Sequence, residues 1–326
     1  MMSNTSCEPT ERTSIKVGIS ACVLGQKVRF DSGHKSNKFV TESLTPLFEF
    51  IAVCPEVGIG MSVPRPAIRL VSNEERLALV ETKDSSKEYT DEMMAYSQQK
   101  VQQLKQQDLC GYIVCANSPT CGMERVKLYS KGSATKNGVG LYTHTLMKQM
   151  PWLPVEEDGR LNDPVLKENF ISRVFGLKDF YDCMGGKPSR GKIVAFHSRY
   201  KLTLMAHDPR AYKALGKLVA NVADFAEDEF YDLYRLKFMQ ALTQRASRKN
   251  NSNVLMHIQG YFKKCLSSQQ RQEFRDVIDQ YRQGFLPLLG PLILIKHYLS
   301  LYPDGYLQSQ KFLTPHPQEL KLRYSL

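Results

Sequence analysis

In the first half of the chain, apolar residues fall in short runs. Ser14-Ile-Lys-Val-Gly-Ile-Ser20 alternates with period two and is rich in β-branched residues, which predicts a strand ending at Ala21-Cys22. A second run, Phe50-Ile-Ala-Val53, ends at Cys54-Pro55. A third, Gly111-Tyr-Ile-Val114, ends just before Cys115 and the turn-rich Asn117-Ser-Pro-Thr-Cys-Gly122. Helix-like spacing covers residues 36–50 and 85–107, the second polar enough to serve as a solvent-facing crossover. The expectation is an α/β N-terminal domain with a mostly parallel sheet, each strand delivering a cysteine to the loop at its carboxyl end. In open α/β sheets that edge is where ligands bind.

Past a glycine-rich polar interval, Gly185-Gly-Lys-Pro-Ser-Arg-Gly191, the pattern changes. Residues 193–205, 211–222, 227–248, 253–265, 267–284 and 292–301 show mostly helical spacing, which predicts an all-α C-terminal domain. The expected organisation is a disordered lead-in over residues 1–13, a first domain over 14–184 and a second over 185–326. A length of 326 residues, more than one typical core, agrees with two domains. No internal repeat or low-complexity tract interrupts them.

Charge separates the two parts. Residues 185–326 hold 22 Lys and Arg against 11 Asp and Glu, whereas residues 1–184 hold 22 of each. A neutral unit joined to a strongly basic one suggests a catalytic part tethered to something that meets a polyanion, although a basic surface can also serve solubility alone. The longest apolar stretch, Phe285 to Ile295, is broken by Pro287, Gly290 and Pro291, so no membrane span is expected. The polar N-terminus carries Glu8 and Glu11 and lacks the features of a secretory signal, which points to the cytoplasm.

Eight cysteines are too sparse for a disulfide scaffold in a chain this long. Cys7, Cys110, Cys183 and Cys265 have no ligand-type neighbours and read as incidental thiols. Cys22, Cys54 and Cys121 are too far apart in sequence for a compact zinc knuckle. Their setting is more informative than their spacing: Ser20-Ala-Cys22-Val-Leu-Gly25 with Arg29-Phe-Asp31, Cys54-Pro-Glu56-Val-Gly58 with Pro64-Arg65-Pro66, and Ser118-Pro-Thr-Cys121-Gly122. Thiolates in this arrangement suit an iron–sulfur cluster, or a zinc ion if a histidine such as His34 completes the set.

These three motifs resemble those of the thiouracil desulfidase (TudS) domain over nearly all of residues 14–160. In the second half, His197-Ser-Arg-Tyr-Lys201 and Leu204-Met-Ala-His207-Asp-Pro-Arg-Ala-Tyr212 resemble the YbgA-type helical domain. The fusion of the two resembles RudS-type tRNA 4-thiouridine desulfidases. The resemblance implies a [4Fe-4S] cluster held by Cys22, Cys54 and Cys121, with one iron not ligated by protein. It further implies a non-redox reaction in which that iron captures the thiocarbonyl sulfur of a thiolated uracil while water adds to the base carbon.

Within this frame Glu56, two residues after a ligand, is the expected general base or proton shuttle, and Ser118 the group that orients base or water. Arg29, Asp31 and Arg65 are candidates for contacts to the base or a phosphate. Phe30 stands where the family commonly has an aromatic hydroxyl. Cys115 is either a buried thiol or a fourth ligand that closes the site. For the basic half, Arg199, Lys201, Arg245, Arg248 and Lys249 are the principal candidate tRNA contacts, with Lys187, Arg190, Lys192, Lys263 and Lys264 beside them. No obligate protein partner is implied. Open alternatives are a desulfidase of free thiouracil and a non-catalytic iron–sulfur protein that binds RNA or acts as a sensor.

Overall fold

The computed structural model describes residues 14–73, 76–130, 133–185 and 189–323. The expected lead-in over 1–13, with Cys7, and the candidate contact Lys187 lie outside the described residues. The chain forms two compact units that divide between Leu166 and Lys167.

The N-terminal unit contains two four-stranded sheets. The first has the order β2-β1-β5-β8, built from β1 (Ile15–Ser20), β2 (Phe48–Val53), β5 (Gly111–Val114) and β8 (Val155–Glu157), and every pairing in it is parallel. From β1 the chain moves outward to β2 and later returns to the other side of β1 as β5. The strand order therefore reverses between β1 and β5, and the crevice at that reversal is the standard ligand position in such sheets. Close packing here depends on Gly18, where a Cβ would lie 2.2 Å from the buried Tyr112 ring.

The second sheet, order β4-β3-β6-β7, comprises β3 (Ile68–Asn73), β4 (Arg76–Glu81), β6 (Val126–Ser130) and β7 (Ser133–Gly138). Two antiparallel hairpins meet along the parallel β3–β6 pairing. Helix α2 (Thr90–Lys105) turns Met93, Ser97, Val101 and Leu104 inward at helical spacing, which gives it one buried face. The helix expected over residues 36–50 is a single turn at Phe39–Leu44. Pro46 supplies no N–H to continue it, and Phe48 already belongs to β2.

The C-terminal unit is all helical in its described residues, from α4 (Pro164–Met184), which belongs to this unit from Lys167 on, to α5 (Arg190–His207), α6 (Pro209–Ala220), α7 (Glu227–Thr243), α8 (Arg248–Tyr261), α9 (Ser268–Gln283), α10 (Leu289–Leu301) and α11 (Gly305–Ser309). Several helix ends follow directly from sequence. Asp208 caps α6, accepting from the N–H groups of Arg210 and Ala211, with Pro209 in the first turn. Ser267 and Gln270 form a capping box on α9, which ends at Gly284 in a left-handed conformation. One core is aromatic, with Phe180, Phe196, Tyr200, Tyr234 and Phe238 in mutual contact. No helix among the described residues is long and apolar enough to cross a membrane.

Candidate active site

Three of the four strands of the parallel sheet, β1, β2 and β5, end at a cysteine-bearing loop. Cys22 lies two residues beyond β1, Cys54 directly follows β2, and Cys115 directly follows β5, with Cys121 closing the same loop. All four line one cavity of about 430 Å³ at the carboxyl edge, together with Glu56, Ser118, Arg29, Arg65, Phe30 and Lys35. The structure therefore brings together every proposed cluster ligand, both proposed catalytic residues and two of the three proposed substrate contacts. Asp31 does not line the cavity; it is exposed and sits 3.6 Å from Arg29.

Glu56 stands in α1 (Pro55–Gly58), the single turn that follows Cys54. Its carboxylate is held from two sides. Oε2 pairs with the Arg65 guanidinium, and Oε1 accepts a 2.8 Å hydrogen bond from Thr120 Oγ1. Thr120 Oγ1 lies 2.9 Å from Ser118 Oγ and 3.6 Å from Cys121 Sγ, so a chain of hydroxyls joins Ser118 to Glu56 past a cysteine. Ser118 Oγ also accepts from Cys121 N at 3.1 Å, which fixes the loop.

Arg65 has only 2% of its side chain exposed. Its Nη1 donates to Val28 O at 2.8 Å and Ser62 O at 3.4 Å. Burial lowers its pKa below the usual guanidinium range, and the facing Cys54, Cys121 and Cys22 oppose that shift. Such a buried cation suits a nest of sulfur anions.

The thiols differ from one another. Burial raises the Cys121 thiol to about 12, against hydrogen bonds from Thr120 and Ser20 that favour the thiolate. Cys22 is raised, first because it donates its S–H to Cys115 and then by burial. Cys115 is lowered by that same hydrogen bond, with Lys35 and Arg29 helping. Burying thiolates together is costly unless a metal centre takes up their charge, and metal binding deprotonates such thiols.

Several supporting residues escaped the sequence reading. Thr120 lies inside a quoted motif, between Ser118 and Cys121, and could have been singled out there. Asp158 could not: it follows β8, 37 residues after Cys121, yet its carboxylate accepts from Ala116 N at 2.8 Å and pairs with Lys35 Nζ at 3.0 Å. Gly140 caps α3 (Leu141–Gln149), whose first N–H groups donate to Pro119 O and Thr120 O. A Cβ at Gly140 would lie 2.5 Å from Thr120 C and O and 2.7 Å from Cys121 N, so only glycine lets this helix support the Cys121 loop.

In the helical unit the candidate RNA contacts sort by their local partners. Arg199 pairs with Asp179 at 3.3 Å, and Arg248 donates to Tyr281 O at 2.6 Å while stacking on its ring. Arg190 and Lys192 also bond backbone carbonyls, at Phe225 and Met184. Lys201 is half-buried, whereas Arg245, Lys249, Lys263 and Lys264 are exposed.

Residues 17–158 match the family model 2-thiouracil desulfurase, and residues 201–317 match a protein of unknown function (DUF1722). The uncharacterized protein YbgA of Escherichia coli (strain K12) is 38% identical over 159 residues, covering 48% of this chain and 94% of that protein. A solved structure described as the [4Fe-4S]-dependent thiouracil desulfidase TudS is 25% identical and covers 45% of this chain and 93% of its own, with a TM-score of 0.36. The two matched segments lie in tandem, one around the cysteine-lined cavity and one in the basic helical unit, and the chain belongs to the family that fuses a 2-thiouracil desulfurase domain to a YbgA-type helical domain.

Proposed function

We propose that the chain is a [4Fe-4S]-dependent desulfidase that converts 4-thiouridine in tRNA to uridine and releases sulfide in the cytoplasm. The observation that carries this reading is the convergence of Cys22, Cys54, Cys121 and Glu56 on one cavity at the reversal point of a parallel sheet. The donor set fits the cluster: three thiols face one space, and a buried guanidinium supplies positive charge beside them. Among the described residues no three His, Cys, Asp or Glu side chains come close enough to share a single ion, and His34 Nδ1 instead accepts from Ser36 N.

Cys22, Cys54 and Cys121 would hold the cluster, leaving one iron free of protein ligands. When bound, it supplies a soft Lewis acid that withdraws electrons from the thiocarbonyl carbon. Glu56, fixed by Arg65 and Thr120, takes a proton from the water that adds to that carbon. Ser118, hydrogen-bonded through Thr120, orients the base or the water. The balance is hydrolytic: C=S and water become C=O and hydrogen sulfide, with no net electron transfer. Arg29, Asp31 and Arg65 were the expected substrate contacts; with its Nη1 and Nη2 groups engaged, Arg65 serves through Glu56, while Arg29 with Asp31 beside it remains for the substrate. The basic helical unit grips tRNA, with exposed Arg245 and Lys249 and half-buried Lys201 as phosphate contacts and the engaged Arg199 and Arg248 shaping that surface.

Anaerobic incubation of the reconstituted protein with bulk tRNA, and separately with free 4-thiouracil, tests the reading by nucleoside analysis. Loss of 4-thiouridine from tRNA with matching uridine supports it; turnover of the free base alone would replace tRNA as the substrate. A non-catalytic cluster protein is the second reading, favoured by Cys115 in the same cavity. If Cys115 closes the site, Cys115→Ser will create activity that the parent protein lacks.

A further inference from the structure

The longest apolar stretch of the chain leads into α10, and one face of that helix lines a cavity that the desulfidase chemistry does not use. Leu289, Leu292, Ile293 and Lys296 fall at helical spacing on one stripe of α10, and they share with residues 313–323 a space of about 300 Å³. Leu313 and Leu322 extend the apolar wall. Three basic side chains, Lys296, His316 and Arg323, line the same space. A concave apolar wall with a few polar groups is the usual form of a small-molecule site.

The charges around this space do not cancel. Arg323 donates from Nε to Glu168 Oε1 at 3.0 Å and from Nη1 to Phe312 O at 2.8 Å, so Glu168 answers its charge and Nη2 is left over. Burial keeps His316 neutral, with a pKa lowered to about 4, and its Nδ1 lies 3.2 Å from Pro317 O, to which it donates. Lys296 has no such partner. Among the described residues no carboxylate pairs with it, and burial together with the neighbouring Arg323 lowers its pKa below the usual ammonium range. One uncompensated positive charge is therefore held half-buried among leucines, beside a second cation that repels it. A single charge matches a monoanion, and the apolar wall matches an aliphatic tail; a hydrated phosphate would leave that wall unused. At about 30 Å³ per heavy atom the space holds about ten such atoms. We propose that this cavity binds an aliphatic monocarboxylate of about eight carbons, with Lys296 and Arg323 Nη2 taking the carboxylate and the α10 stripe taking the chain. The site belongs to the helical unit alone and is independent of the desulfidase reading.

The test is anaerobic calorimetry on the cluster-reconstituted full chain with octanoate, octanamide, dodecanoate and inorganic phosphate. Octanoate should saturate a single site with a Kd below about 1 mM, and octanamide, equal in size and uncharged, should bind at least about tenfold more weakly. Lys296→Met should bring acid and amide to about the same affinity, and Lys296→Arg should restore part of the preference. Ile293→Trp, at a position 58% exposed, places a ring in the cavity and should abolish octanoate binding while the melting temperature stays at that of the parent. Dodecanoate binding no tighter than octanoate supports the size of the site; affinity that keeps rising with chain length marks non-specific adsorption and overturns it. No saturable heat from octanoate up to about 10 mM, equal affinity for acid and amide in the parent, or an unchanged ratio in Lys296→Met also overturns the proposal, as does phosphate binding that matches octanoate. Filter binding of tRNA by Lys296→Met gives the charge its other possible use: a loss of about tenfold there, with no octanoate binding in the parent, would assign Lys296 to RNA instead.

Discussion

Replacing Arg65 by Met removes a cation whose partners are all inside the site. Glu56 would keep a carboxylate only 15% exposed with no counter-charge, and Val28 O would lose its 2.8 Å donor. Breaking a buried pair by deleting one member costs about 3–5 kcal/mol, and the small remaining exposure of Glu56 places this case near about 3 kcal/mol. In a unit of this size that lowers the melting temperature by about 6–12 °C. Activity should fall by about a hundredfold or more, since the proposed general base loses the contact that orients it. Differential scanning calorimetry with iron analysis and a sulfide assay measures all three. Adding Glu56→Gln to Arg65→Met removes the stranded charge, so the double variant should be more stable than Arg65→Met alone, with a coupling of about 2 kcal/mol. A single variant that melts with the parent, or a cycle without coupling, would refute the ion pair as the organiser of the site.

Other expectations follow from the same geometry. Gly140→Ala should press the Cys121 loop through backbone contacts, costing about 1–3 kcal/mol and lowering iron content; a fully loaded variant would contradict the role of α3 as a support. Thr120→Val, nearly isosteric, should lower kcat by about tenfold or more with iron content and KM unchanged, because it breaks the link from Ser118 to Glu56; unchanged kcat would remove Thr120 from the proton path. His197, 3% exposed beside Tyr234, has its pKa lowered by burial to about 4. The unfolded chain therefore binds a proton that the folded one refuses, so its stabilising share is complete above about pH 6.5 and is lost as pH falls toward 4, by up to about 1.4 kcal/mol per pH unit. Urea titrations of His197→Asn across that window should show a slope smaller by one proton, and an identical slope would dismiss His197 as its source.

The cysteine edge was legible in the sequence because β1, β2 and β5 are short apolar runs that each stop at or just before a cysteine, and Glu56 and Ser118 sit in the same motifs. The second sheet was not. In β7, Ser-Ala-Thr-Lys-Asn-Gly, all but the last residue is exposed, so no buried face writes an alternation into the sequence, and β8 is three residues long with two buried glutamates. Likewise, the helix read over residues 227–248 stops at Thr243 in α7, and α8 starts at Arg248 rather than 253, with Ser247 accepting from Asn250 N as its cap, a signal present in the sequence and outweighed by helical spacing. Arg65 was visible as a polar residue between prolines, yet its burial against Glu56 depends on the fold. Lys35, Asp158 and Gly140 reach the site from distant segments, which no local pattern records.

The measurement closest to the central claim is single-turnover desulfuration of 4-thiouridine-containing tRNA by cluster-loaded protein in ¹⁸O-labelled water, without reductant or oxidant. The account predicts one sulfide per uridine formed and the heavy oxygen at the former thiocarbonyl carbon. Intact 4-thiouridine in the presence of a complete cluster, or uridine formed without label or sulfide, would contradict it.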